Sequence, residues 1–82
     1  MDIFPLRKDL KEYLAKHNLV KKWEKVEKLF QENTKHPSLN VELLEPKWRG
    51  IFSLRVDLKY RALFFIKDNK AEVFAITNHY KK

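Results

Sequence analysis

Arg55 and Arg61, set among apolar residues, and the closing pair His79-Tyr80 are the side chains here whose types suit chemistry on a phosphate ester: a cation, an imidazole and a phenol. Glu42, in the connector VELLEPKWRG, adds a carboxylate beside a basic stretch. Each also has a plainer reading. On spacing alone Glu42 is a solvated loop acid pairing with Lys47 or Arg49. An arginine in an apolar strand either snorkels to solvent or lines a polar face, so Arg55 and Arg61 read equally as surface charge or as anion ligands, and neither reads as core. His79 reads as a tail residue, and Tyr80 is similarly open.

The rest of the inventory excludes more than it offers. The chain has one Gly and no Cys, which removes a thiol nucleophile and thiolate metal sites and fits a reducing cytosol. No Gly-rich phosphate loop, Ser/His/Asp constellation or nucleotide fingerprint occurs, so kinases, serine-type hydrolases and dehydrogenases are set aside. His17 and His36 lack metal-ligand spacing and read as structural or solvated. Trp48 and Phe52 each offer a face to a nucleobase, but in so short a chain large aromatics belong to the core. Gly50 marks a turn.

The elements that must position these groups follow from periodicity. Apolar residues at 6, 10, 13 and 14 have helical spacing, broken at His17-Asn18, where Asn tolerates the left-handed conformation of a helix end. Leu19, Val20, Trp23, Val26, Leu29 and Phe30 form the stripe of a second helix, which His36-Pro37-Ser38 terminates. Phe52, Leu54 and Val56 then alternate with Ser53, Arg55 and Asp57, as in a half-buried strand. Tyr60 to Lys67 is the next strand, Lys67 to Lys70 a tight turn and Ala71 to Thr77 a third strand; Met1 to Phe4 adds a short one, limited by Pro5. The expected fold is α+β: one domain over residues 1–82, an N-terminal helical hairpin packed on a small antiparallel β-sheet. A two-residue turn at Asp68-Asn69 pairs Arg61 with Ile76 and puts His79 on the opposite face by parity, unless a longer turn, a bulge or departure from the sheet after Thr77 intervenes.

The chain has 82 residues, enough to bury about 60 to 65% of its unfolded surface, so every large apolar residue matters. Its longest apolar run, Ala62 to Ile66, falls far short of the ~20 residues a spanning helix needs, and no secretion signal is visible; a soluble, cytoplasmic protein without membrane partners is expected. The formal charge of +7 calls for an anionic partner. The excess is concentrated on the sheet side, where Lys47, Arg49, Arg55, Lys59 and Arg61 face Asp57 alone.

The segment HPSLNVELLEPKWRGIFSLRVDLKYRALFFI, with its Gly50, Phe52-Ser53, Arg55-Val56 and Tyr60-Arg61 steps, and the His79-Tyr80 ending resemble the RelE/ParE toxin superfamily of bacterial toxin–antitoxin modules. The likeness spans most of the chain, and Glu42 ahead of Leu44-Glu45-Pro46 brings it nearest the YoeB branch. The resemblance implies a ribosome-dependent endoribonuclease that cuts messenger RNA without metal or cofactor and is held inactive by an acidic antitoxin. It implies Glu42 as general base, Arg61 as the cation facing the scissile phosphate, His79 as general acid, Tyr80 as the terminal tyrosine of the site and Arg55 as the strand arginine before the turn. Lys47, Arg49, Arg55 and Lys59 are the expected RNA-binding cations. The leading MDIFP is shorter than the first strand usual in that superfamily, so a shortened sheet edge is expected. A non-enzymatic toxin of the ParE type, which binds gyrase, and a module that only binds RNA or antitoxin are the alternatives; the joint presence of Glu42, Arg61 and His79 argues for the ribonuclease.

Overall fold

The computed structural model describes residues 1–78, and His79, Tyr80, Lys81 and Lys82 lie outside the described residues. Helix α1 (Lys8–Lys16) turns within three residues into helix α2 (Val20–Glu32). Asn18 takes the left-handed conformation at φ 58°, and the Leu19 amide closes onto the Leu14 carbonyl at 2.8 Å, so the hairpin ends where the sequence places its break. Helix α2 stops at Glu32, before the proline. Asn33 leaves the helical region, its side chain accepting from the Lys35 amide at 3.0 Å. Asn thus ends the helix by offering the backbone an alternative partner, four residues ahead of the expected Pro-driven stop.

Four antiparallel strands follow in the order β1 (Glu42–Leu43), β2 (Phe52–Arg55), β3 (Arg61–Lys67) and β4 (Lys70–Thr77). The helical hairpin packs on one face of this sheet. Leu10 and Leu14 of α1 and Trp23, Val26 and Phe30 of α2 meet Leu54, Ala62, Phe64, Ala71, Val73 and Ile76 from the strands. Phe30 stands edge-on to Phe64 at 5.4 Å, and Phe64 stacks on Phe52 at 5.3 Å, an arrangement that adds to the area buried. Val20, placed on the apolar stripe from sequence, is exposed at the first position of the helix, next to the hairpin corner.

The expected N-terminal strand reduces to a parallel bridge between Ile3 and Ala71, with the Phe4 amide on the Ala71 carbonyl at 2.9 Å. The turn between β3 and β4 has both central residues at positive φ, Asp68 at 52° and Asn69 at 61°, as a two-residue hairpin requires. Pairing runs regularly from Lys67↔Lys70 to Phe64↔Val73 and then shifts by one residue, so that Leu63 faces Ala75, Ala62 faces Ile76 and Arg61 faces Thr77. One extra residue at Phe74 makes this bulge. Without it Ile76 would share a face with Arg61; with it Ile76 points into the core and Thr77 joins the polar face.

Candidate functional site

Side chains directly opposite each other on paired strands share a face, so the register assigns the sheet face away from the helices. Glu42 pairs with Ser53, Ser53 with Leu63, Arg55 with Arg61, and Arg61 with Thr77. Glu42, Arg55 and Arg61 therefore lie together on the face that the helices leave uncovered. Glu42 sits in a strand, not in the loop expected from sequence. Its carboxylate is 3.6 Å from the Arg61 guanidinium and accepts from Asn40 Nδ2 at 3.3 Å, so Arg61, rather than Lys47 or Arg49, is its cation.

Arg61 is not a surface charge. It is only 7% exposed, donates through Nε and Nη2 to Ser53 Oγ at 3.1 and 2.9 Å, and donates through Nη2 to the Asn40 carbonyl at 2.6 Å. Ser53 is fully buried, its exposure 0%, so the hydroxyl and guanidinium satisfy each other in a place water does not reach. The expectation that Arg61 stands outside the folded interior is overturned: a strand arginine with a serine diagonally across and a turn carbonyl in range is drawn down into the sheet face. Asn40, at φ 44° after the 3₁₀ turn Pro37–Leu39, is what brings that carbonyl and an amide to bear on Arg61 and Glu42. Sequence reasoning missed both Ser53 and Asn40. Only their types gave a signal, a hydroxyl at strand spacing and an Asn suited to positive φ.

A cavity of about 230 Å³ opens over this pair, lined by Asn40, Glu42, Arg55, Asp57, Leu58, Lys59 and Arg61. Of its two carboxylates, Asp57 is committed to structure: it accepts from the Lys59 and Tyr60 amides at 2.8 Å each and from Lys22 Nζ at 3.0 Å. Burial pushes the Asp57 carboxyl up, but Lys22 and the two amides outweigh it and hold the group below its ordinary range. Three cations thus surround a cavity in which Glu42 alone is not tied to the hairpin turn. Arg55 and Arg61 directly across from one another repel. Such a surplus suits an anion that enters from solution.

Of the remaining expected cations, Arg55 and Lys59 line this cavity. Lys47 and Arg49 lie on a second 3₁₀ turn (Lys47–Arg49) in the connection between β1 and β2. That connection folds over the same sheet face, where Leu44, Pro46, Arg49 and Ile51 border Leu63 and Phe74 around about 190 Å³. Gly50 closes the turn at φ 67°, as its reading as a turn residue requires. Phe52 belongs to the core edge, as expected, whereas Trp48 does not. The two other histidines are accounted for locally: His17 packs between Tyr13 and Tyr60, its Nδ1 3.2 Å from the Tyr60 hydroxyl, and His36 Nδ1 accepts from the Ser38 amide at 3.1 Å. Among the described residues no group of three or more His, Asp or Glu is placed to hold a metal ion, and no helix is long and apolar enough to cross a membrane. His79 and Tyr80, the expected acid and terminal tyrosine, lie outside the described residues.

No protein-family model matches the chain, and no curated protein sequence matches it. Solved structures do. A YoeB dimer from Staphylococcus aureus superposes with a TM-score of 0.69 at 21% identity, over 96% of this chain and 94% of that one. The chain has the fold of the YoeB toxins. A YoeB/ParE toxin from Agrobacterium tumefaciens gives 0.70 at 18% identity over 98% and 100% of the two chains, and a YoeB-YefM complex from Staphylococcus aureus gives 0.69 at 22% over 96% and 94%. That fold is the one the sequence predicted, an α+β arrangement of an N-terminal helical hairpin packed on a small antiparallel sheet.

Proposed function

We propose that this protein is the toxin of a toxin–antitoxin module, a ribosome-dependent endoribonuclease of the YoeB type. The observation that carries the reading is the Glu42 carboxylate 3.6 Å from the Arg61 guanidinium, at the floor of a cationic cavity on the open sheet face of a YoeB fold. Glu42 takes the proton from a ribose 2′-hydroxyl. The 2′-oxygen attacks the adjoining phosphorus, Arg61 and Arg55 stabilise the doubly charged phosphorane, and the P–O5′ bond breaks. His79 gives its proton to the departing 5′-oxygen, with Tyr80 beside it, leaving a 2′,3′-cyclic phosphate and a 5′-hydroxyl. Base and acid are each worth about 10²- to 10⁴-fold, which suffices when another body orients the message.

The partner in this reading is an acidic antitoxin segment that folds on binding over Lys47, Arg49, Arg55, Lys59 and Arg61. The YoeB-YefM complex with this fold supports it. Incubating the purified protein with translating ribosomes and mapping message ends is the test. Cleavage of ribosome-bound message with naked RNA left intact is the expected result. Equal degradation of naked RNA overturns the ribosome dependence, and intact message under both conditions overturns the ribonuclease and leaves a non-catalytic toxin.

A further inference from the structure

Trp48 is 85% exposed, whereas the other tryptophan, Trp23, is 5% exposed in the core. An indole left in water forfeits the burial that normally fixes its place, so its position calls for a ligand. It is not on a slack loop. Pro46 opens the turn and Gly50 closes it, with the Arg49 amide on the Pro46 carbonyl and the Gly50 amide on the Lys47 carbonyl, both at 3.1 Å; the Leu44 amide on the Ile51 carbonyl at 2.8 Å closes the base. Trp48 is presented by a small hydrogen-bonded turn with an exposed cation on either side, Lys47 and Arg49.

That turn belongs to the same hairpin as the site. Glu42 pairs with Ser53 two residues below the Leu44–Ile51 closure, which at ~3.3 Å per residue puts the turn on the order of 10 Å along the sheet from the carboxylate. It also lies over the face that carries Arg61. A protein-docking tryptophan would sit in an apolar surround, since interface cores are depleted of lysine. Here its sequence neighbours are both cations. A nucleotide strand meets this arrangement point for point, one base face against the indole and a phosphate towards each cation.

We infer that Trp48 is a base-stacking residue that holds a single-stranded nucleotide beside the scissile phosphate, with Lys47 and Arg49 on the adjoining phosphates. The inference rests on RNA as the substrate, as proposed above, but its test needs neither ribosome nor cleavage. The emission of the protein is titrated with an oligoadenylate of about ten nucleotides and, in parallel, with inorganic polyphosphate. A Trp23→Phe variant makes Trp48 the single emitter; in the wild type the buried Trp23 leaves Trp48 as the accessible one. Oligoadenylate should quench Trp48 and polyphosphate should not. Trp48→Ala should weaken oligoadenylate binding about tenfold and Trp48→Phe should restore most of it, while Lys47→Ala should lower the salt slope by about one. Equal quenching by polyphosphate, oligoadenylate binding without quenching, undiminished binding by Trp48→Ala, or no oligoadenylate binding at all overturns the inference. Quenching by oligoadenylate in a protein that leaves ribosome-bound message intact refutes the ribonuclease and leaves the stacking in place.

Discussion

Replacing Arg61 should damage the fold before it damages any chemistry. In Arg61→Ala the fully buried Ser53 hydroxyl loses two donors at 3.1 and 2.9 Å, and the Asn40 carbonyl loses its contact at 2.6 Å. The Glu42 carboxylate is left without the cation 3.6 Å away. A buried polar group deprived of its partner costs about 1–3 kcal/mol, and breaking a buried ion pair from one side about 3–5 kcal/mol. Because the terms share one side chain they do not add, and the expected loss is about 3–5 kcal/mol. At roughly 0.05–0.15 kcal/mol per residue, a chain of 82 residues has on the order of 4–12 kcal/mol in all. The melting temperature should therefore fall by at least about 12 °C, taking ~4–8 °C per kcal/mol at this size. Thermal and urea melts of Arg61→Ala, Ser53→Ala and the double variant measure both the loss and the coupling. Ser53→Ala should cost far less in the Arg61→Ala background than alone, with an interaction energy of ~1–3 kcal/mol. A melting temperature within about 3 °C of wild type, or costs that simply add, would refute the buried arginine–serine unit. Rate losses in Arg61 variants are interpretable only once these melts are in hand.

Glu42→Gln keeps the shape and an acceptor for Asn40 while removing the base and the charge facing Arg61, so single-turnover cleavage on ribosomes should drop by about 10²-fold or more, with a smaller fall in melting temperature than Arg61→Ala because Ser53 and the Asn40 carbonyl still hold the guanidinium; undiminished cleavage would remove Glu42 from the mechanism. His79→Ala should lower the rate at every pH and abolish the alkaline limb of the profile, and full activity would leave the general acid unassigned. Since the folded Asp57 carboxyl is held below its ordinary range, its contribution is complete above the unfolded value of about 4 and disappears as pH falls through the folded value. Asp57→Asn should accordingly flatten the loss of stability on the acid side of that unfolded value, as followed by urea midpoints, and an unchanged acid limb would contradict this. Phe30→Ala, which empties the site between Phe64 and α2, should cost about 3–5 kcal/mol in urea unfolding, and a loss under 1 kcal/mol would mean that the core closes over the gap.

How much of this was legible in the sequence depended on range. Both helices and three strands follow from local periodicity, and Asn18, Gly50 and Asp68-Asn69 announce their backbone conformations by type. Strand β1 did not announce itself, because two residues carry no period; Glu42 becomes a strand residue only through pairing with Ser53. The burial of Arg61 was illegible for a related reason. It depends on Ser53 and Asn40, which are distant in sequence and come into range through sheet register and a left-handed turn. Trp48 was misread as core because composition alone says that a chain this short needs its aromatics inside, while the turn around Trp48 holds it out. Parity arithmetic came nearest: it named a bulge among the ways the plain two-residue count could fail, and the β3–β4 register up to Thr77 contains one, while His79 lies outside the described residues.

That bulge divides β4 into two lengths running in opposite phase. Up to Val73 the odd-numbered residues face inward, and after Phe74 the even-numbered Ile76 does, so the extra residue acts as a half-step inserted in a two-beat rhythm. The tight turn and the site stand at opposite ends of the same strand pair and keep separate count. The turn end can set its alternation by the core alone, and the site end receives the polar side chain that the uninterrupted count would have denied it. Sequence drift in β4 is therefore constrained differently from drift in β3: a substitution is judged by size and polarity, but a gained or lost residue is judged by whether it leaves an odd step between the hairpin and the arginine. A single-residue deletion at 74 would heal the bulge and leave Ile76 opposite Ala62 and Thr77 opposite Arg61, whereas closing the bulge with every residue kept would turn Ile76 out over Arg61 and Thr77 in against the helices.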